Sequence, residues 1–172
     1  IQVVLLYGVF EEKDVITKAV KITNLGKEAI HLRKVSSSSL DFEGSHGTDV
    51  IHFHGRHNME RQYERTAIDF GQFSIGSHRG SSSHQHNPFM IMCDSSTTEK
   101  NGHCFGTMLM YSGGFIGTVE KSQFNQIRST LGISSKGFDY PLNHGETFVA
   151  PEAILSYSTT GLNQFSQQYH QF

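Results

Sequence analysis

Apolar positions along the chain fall into short runs divided by turn residues, and most runs carry the period-2 alternation of strands. Residues 2–10 form an apolar run that Glu11-Glu12-Lys13-Asp14 turns. Ile16, Val20 and Ile22 then mark one face of a second strand, with Lys18 breaking its pattern, and Asn24-Leu25-Gly26-Lys27 reads as a turn. Ile30 and Leu32 open a third strand, and residues 41–49 read as a polar loop holding Gly44 and Gly47. In Val50–His54, Ile51 and Phe53 share one face while His52 and His54 share the other. Residues 56–65 are charged and without a clean period; Phe73 and Ile75 mark a further strand. Residues 76–87 are polar and rich in Gly, Ser and His. Phe89–Cys93 and Cys104–Tyr111 pair as a hairpin whose tip includes Asn101-Gly102. Ile127, Leu131 and Ile133 alternate with polar residues, and residues 148–157 form a strand interrupted by Pro151, as at an edge or bulge. Only the end is helical: Leu162, Phe165, Tyr169 and Phe172 follow a 3.6-type period, with Ser158, Thr159 or Thr160 as caps. About ten short strands and one terminal helix predict an all-β antiparallel sandwich or barrel. Where the alternation is patchy, strands are expected to be buried on both faces or to lie against something else.

The composition fits that class. The 172 residues suit one domain, with 36% hydrophobic and 17% charged residues, thirteen Phe, six Tyr and no Trp. Fourteen Lys plus Arg against sixteen Asp plus Glu leave a formal charge of −2, which argues against a nucleic-acid partner. No apolar stretch approaches the roughly 18 residues of a membrane span. Two cysteines, Cys93 and Cys104, make no disulfide framework, and no Asn-x-Ser/Thr acceptor occurs. A reducing, cytoplasmic setting is expected, with the pairing of the two cysteines left open. Ile1–Tyr7 reads as the inside of a strand, so the chain is expected to be excised from a longer one.

Several constellations could carry chemistry. His52/His54 and His84/His86 stand at i, i+2, which on a strand puts two rings on one face; His31, His57 or His103 could add a third metal ligand. Surface or hydrogen-bonding histidines remain the simpler reading. No Gly-x-Ser-x-Gly elbow occurs, and the carboxylates, among them Glu64 and Asp94, fall in turns and charged segments. Arg61 and Arg65 either join surface ion pairs or clamp a carboxylate from another domain. The segment 73–89, with Arg79, His84, His86 and Asn87, offers donors and acceptors for a docking surface or a sugar, or else is a solvated loop.

The run Ser74-Ile75-Gly76-Ser77-x-Arg79-Gly80-x-Ser82-Ser83-His84-Gln85-His86-Asn87-Pro88-Phe89 closely resembles the N-terminal domain of glycoside hydrolase family 36 α-galactosidases. Tyr111-Ser112-Gly113-Gly114-Phe115, Gln123-Phe124 with Arg128, Leu131-Gly132-Ile133 with Phe138, and Gly145-Glu146-x-Phe148-x-x-Pro151-Glu152 follow in family order. Tyr157-Ser158-x-x-Gly161-Leu162-Asn163-x-x-Ser166-Gln167 closes the match. The resemblance implies a β-sandwich of the supersandwich, galactose-mutarotase-like type. It implies that residues 1–160 are the sandwich, N-terminally truncated, and that 161–172 begin the helix leading to a catalytic (β/α)₈ barrel. That barrel would hold two catalytic aspartates for retaining hydrolysis of terminal α-galactosides such as melibiose or raffinose. Neither aspartate motif is in this chain.

The chain itself is therefore expected to be inactive, without catalytic residues, cofactor or metal. Its partners would be the barrel and, through it, an α-galactoside, in a homo-oligomer. Arg61, Arg65, Arg79, His84, His86 and Asn87 are the candidates for the domain interface or substrate rim. The sequence departs from the family at Gly55-Arg56-His57-Asn58-Met59-Glu60-Arg61, where the family reads Gly-Ala-Trp-x-Arg-Glu-Arg, and Gly114 replaces an Asn. A stand-alone carbohydrate-binding module is the alternative, and a metal-dependent β-barrel enzyme using the His-x-His pairs a third.

Overall fold

The computed structural model describes residues 1–43 and 46–172; Gly44, one of the two glycines expected in the loop after Phe42, lies outside them. The described chain holds fourteen strands and one α-helix. These are β1 (Gln2–Phe10), β2 (Val15–Thr23), β3 (Ile30–Leu32), β4 (Ser36–Phe42), β5 (Asp49–Arg56), β6 (Met59–Ala67) and β7 (Gly71–Ser77). They continue with β8 (His86–Cys93), β9 (Cys104–Leu109), β10 (Phe115–Lys121), β11 (Ile127–Ile133), β12 (Tyr140–Leu142), β13 (Thr147–Val149), β14 (Ala153–Ser158) and α1 (Leu162–Gln171). The large sheet runs β1-β2-β14-β9-β8-β5-β6, with β13 also on β2; the second runs β4-β11-β10-β7, and β12 pairs β3. Among the described residues every pairing between these strands is antiparallel. The protein is the all-β antiparallel sandwich that the alternation predicted, with its C-terminal helix.

The inner core lies between the two sheets. Val50, Met90, Met92 and Leu109 of the large sheet meet Ile75, Phe115, Val119, Ile127 and Leu131 of the second. The intervening residues, Ile51, Ile91, Cys93 and Cys104, point to the other face, where Leu162 and Phe165 of α1 cover them. This three-layer arrangement is why β8 shows Met90-Ile91-Met92-Cys93 buried without a break. The patchy alternation therefore has a physical source: the central strands are covered on both sides.

Four segments depart from the sequence pattern. The Ser36–Ser39 tract, which shows no apolar alternation, is the body of β4, paired with β11, with Ser37 and Ser38 buried. The charged stretch 56–65 is mostly strand β6, an edge whose outer positions are solvated, which removes the apolar alternation. Phe115–Lys121, to which no strand was assigned from the sequence, is β10 at the middle of the second sheet. The helix has no side-chain cap: its N-cap is Gly161 at φ 88°. Its first free N–H groups, on Leu162 and Asn163, donate instead to the carbonyls of Thr98 and Glu99 in the β8–β9 hairpin tip (3.1 and 3.0 Å). Gly161 must remain glycine on two counts, its left-handed φ and the backbone of 98–101 lying against its Cα.

Pro151 divides two short strands as expected, and both β13 and β14 pair with β2. The β1–β2 hairpin extends with both faces of β1 open: Val3, Leu5, Leu6, Tyr7 and Val9 are exposed. Among the described residues no helix is long and apolar enough to cross a membrane.

Candidate functional site

Strand β5 sets up two different faces at one end of the large sheet. Because successive side chains alternate, Ile51 and Phe53 point outward while His52 and His54 point toward the second sheet. Outward, Phe53 stacks on Phe89 of β8 at 5.9 Å and meets Tyr63 of β6 edge-on at 6.1 Å. Phe89 in turn packs against Phe165 (6.4 Å) and Tyr169 (5.2 Å) of α1. These rings line a groove of about 610 Å³ between the sheet and the helix, and Arg61, Asn87 and His170 stand along it. Gly106 lets α1 sit this close, since a Cβ there would overlap the Phe165 ring.

The groove brings together two of the predicted residues, Arg61 and Asn87. Arg61 is exposed and holds a left-handed φ of 56°, unusual for a residue with a Cβ. The Oδ1 of Asn87 is buried with no hydrogen-bond partner among the described residues.

Arg65, next but one to Tyr63 on β6, turns into the domain. Its Nε donates to Asp49 (2.7 Å), and its two terminal nitrogens donate to the carbonyls of Thr97, Asp94 and Ser95 (2.7, 2.7 and 3.0 Å). Partial burial is the largest single influence and opposes its charge, but the Asp49 hydrogen bond together with the charges of Asp49 and its other neighbours offsets it and holds the guanidinium above its ordinary pKa. Arg65 makes an ion pair within the domain, with Asp49, that is partly buried rather than on the open surface, and it fastens the hairpin tip to β5 and β6.

The β7–β8 connection, 78–85, is tied to its neighbours rather than loose. His78 Nδ1 bonds Ser134 Oγ at 2.6 Å, Ser82 N–H donates to Ser112 O, and Ser77 Oγ donates to Ser81 O. Arg79 and His84 are exposed on it.

His86 opens β8 on the inward face, opposite His54 in register, and joins His52, His54 and Glu64 there. Glu64 Oε2 stands 3.1 Å from His54 Nε2 and 4.0 Å from His52 Nε2. His52 is held below the ordinary imidazole pKa by burial first, with His86 and His54 adding to it against Glu64. Burial, then His54, does the same to His86. The two His-x-His pairs thus do not form one site. His84 lies in the turn before β8, and His31 bonds Asp139 instead.

The two cysteines are free, although they are directly paired in register across the hairpin. Burial raises their thiols, Cys93 to about 11 and Cys104 to about 12, so both are neutral and poor nucleophiles.

The groove aromatics were only partly legible. Phe53 showed itself by alternation, but Tyr63 sat in the unpatterned edge strand, and Phe89 and Tyr169 meet it only in the folded chain. Among the described residues, the acidic side chain that lines the groove is Glu99, and no second carboxylate faces it there as glycoside hydrolysis requires.

The profile described as Glycosyl hydrolase family 36 N-terminal domain matches residues 1–143. The chain is 50% identical over 171 residues to the bifunctional alpha-galactosidase/sucrose kinase AgaSK of Mediterraneibacter gnavus, covering 99% of this chain and 18% of that protein. It is 40% identical over 166 residues to alpha-galactosidase 1 of Pediococcus pentosaceus, covering 96% of this chain and 22% of that one. The solved galactosidase domain of AgaSK superposes with a TM-score of 0.94 at 50% identity, covering 97% of this chain and 23% of the other. The GH36 alpha-galactosidase AgaA variant of Geobacillus stearothermophilus, solved with raffinose, superposes at 0.95 and 37% identity, covering 98% and 23%. The chain spans about a fifth of the length of these curated relatives. Sequence profile, relatives and three-layer sandwich agree, and the chain belongs to the glycosyl hydrolase family 36 N-terminal domain family.

Proposed function

We propose that this chain is the non-catalytic N-terminal domain of an α-galactosidase, a retaining glycoside hydrolase acting on terminal α-galactosides such as raffinose. The observation that carries the reading is the pairing of near-complete coverage of this chain with about a fifth of several α-galactosidases. On this reading, residues 1–160 are the sandwich and α1 begins the connection to a catalytic barrel. The aromatic groove is where that barrel seats, because it is built partly from the helix that leads toward it. Arg61 and Asn87 would meet the barrel there. Arg79 and His84, exposed on the 78–85 connection, would border the rim, and His86 would support that connection from β8. Arg65 would act indirectly, by holding the hairpin tip on which α1 starts. The open apolar face of β1 suits assembly into a homo-oligomer, and the buried free thiols suit a cytoplasmic protein.

The test compares the 172-residue chain with the polypeptide that contains it, using a chromogenic α-galactoside. Turnover is expected only from the longer protein, and clear turnover by the chain alone overturns the proposal. The ring-lined groove also favours a second reading, a carbohydrate-binding module using Phe53 and Tyr63 as stacking platforms. Calorimetric titration of the chain with raffinose separates them: docking predicts no saturable heat.

A further inference from the structure

At the end of the sandwich a histidine, a carboxylate and a second histidine converge from segments distant in sequence. Pairing of Cys93 with Cys104 closes the β8–β9 hairpin, so the next residue out on each strand, Asp94 and His103, is brought to the same place. His46 arrives from the loop between β4 and β5. One donor atom from each of His46, Asp94 and His103 lies within 4.8 Å of the other two. His46 Nδ1 stands 3.2 Å from both carboxylate oxygens of Asp94, and the two imidazoles meet edge-on with centroids 5.0 Å apart.

We propose that His46, Asp94 and His103 form a binding site for a zinc-type divalent cation. Zinc–nitrogen and zinc–oxygen bonds of about 2.0–2.1 Å place tetrahedral ligands roughly 3.3–3.4 Å apart. The His46–Asp94 separation is close to that edge length, and the His103 donor, within 4.8 Å of both, is drawn in as the third corner when the metal binds. Two imidazoles and one carboxylate are a donor set suited to a borderline metal, with a fourth position left to solvent.

The supporting bonds are in place. The Tyr157 hydroxyl lies 2.6 Å from His103 Nδ1 and, by accepting from Nδ1–H, leaves the Nε2 lone pair to ligate. Asp94 Oδ1 accepts from the Gly47 N–H at 3.1 Å, and its backbone carbonyl accepts from Arg65 and from Thr97 N–H. Thr97 Oγ1 donates to the His103 carbonyl at 3.0 Å, which fixes the other side of the hairpin. His46 brings its Nδ1 to the metal by shifting its proton to Nε2. The half-exposed His46 ring leaves an entry path from solvent. Bound there, the cation cross-links the β4–β5 loop to the β8–β9 hairpin.

The test titrates zinc into the chelator-treated chain by calorimetry, with cobalt absorption as a second readout and circular dichroism to confirm that each variant is folded. One saturable site per chain is expected, with Tm rising by about 5–10 °C at a hundredfold excess over Kd. His46→Ala and His103→Ala each weaken binding more than roughly a hundredfold, Tyr157→Phe weakens it about tenfold, and His54→Ala leaves it unchanged. Absence of a saturable site, survival of binding in both His46→Ala and His103→Ala, or its loss in His54→Ala would overturn the assignment.

Discussion

Replacing Arg65 with Met gives the sharpest test of how this domain is held together. The substitution keeps most of the stem volume but removes a guanidinium that donates to four acceptors, one of them the carboxylate of Asp49. Asp49 is only 8% exposed, so its charge is left without its partner in a largely dry place. Breaking a fully buried pair costs about 3–5 kcal/mol, and the Arg65 side chain is a quarter exposed, which puts this case near 3 kcal/mol. With a urea m-value of about 2 kcal/mol/M, the unfolding midpoint falls by about 1.5 M. Arg65→Lys should recover only part of this, because an ammonium cannot spread its donors over Asp49 and three carbonyls. Adding Asp49→Asn to Arg65→Met should restore about 1 kcal/mol, since the stranded charge is gone. Hydrogen exchange gives a second readout: the loosened tip should speed exchange at 95–103 and in the first turn of α1, whose N–H groups rest on Thr98 and Glu99. A loss below 1 kcal/mol, or no recovery in the double variant, would refute the account.

Three further outcomes are expected. Gly106→Ala drives a methyl into the Phe165 ring, so it should cost about 1–3 kcal/mol and deprotect residues 162–171 in hydrogen exchange; normal protection there would contradict the packing of α1. His52 and His86 have folded pKa values below the ordinary imidazole value of 6.5, so the unfolded chain binds more protons around that pH. Their neutral burial stabilises fully above pH 6.5 and is lost as pH falls through the depressed folded values. Tm should therefore drop between pH 7 and pH 5, and drop less in His52→Gln; an identical slope in the variant would count against it. Cys93 and Cys104, buried with thiols at about 11 and about 12, should resist iodoacetamide at pH 8 until the chain is unfolded, and prompt labelling of the native protein would show the core to be open.

By itself the sequence determined the β class, the β8–β9 hairpin and the two faces of β5. Each of these depends on alternation or turn chemistry between near neighbours. Its motif run around His84-Gln85-His86 also carried the family, because that signal resides in residue identity and order. What it left open depended on long-range company. Strand β6 hid behind charge because one of its long sides is an edge, and the serine tract of β4 became sheet only against β11. The helix start looked like a case for a Ser or Thr cap until the hairpin tip supplied carbonyls from more than sixty residues away. The site residues divided the same way. Alternation placed His52 and His54 together, but it could not tell that Arg65 bends inward to the hairpin. Nor could it tell that Asp94, which read as one solvated carboxylate among many, stands between two histidines 46 and 103 in the chain. Strand pairing alone sets which distant segments meet, and that decision belongs to the closed sandwich rather than to any local run of residues.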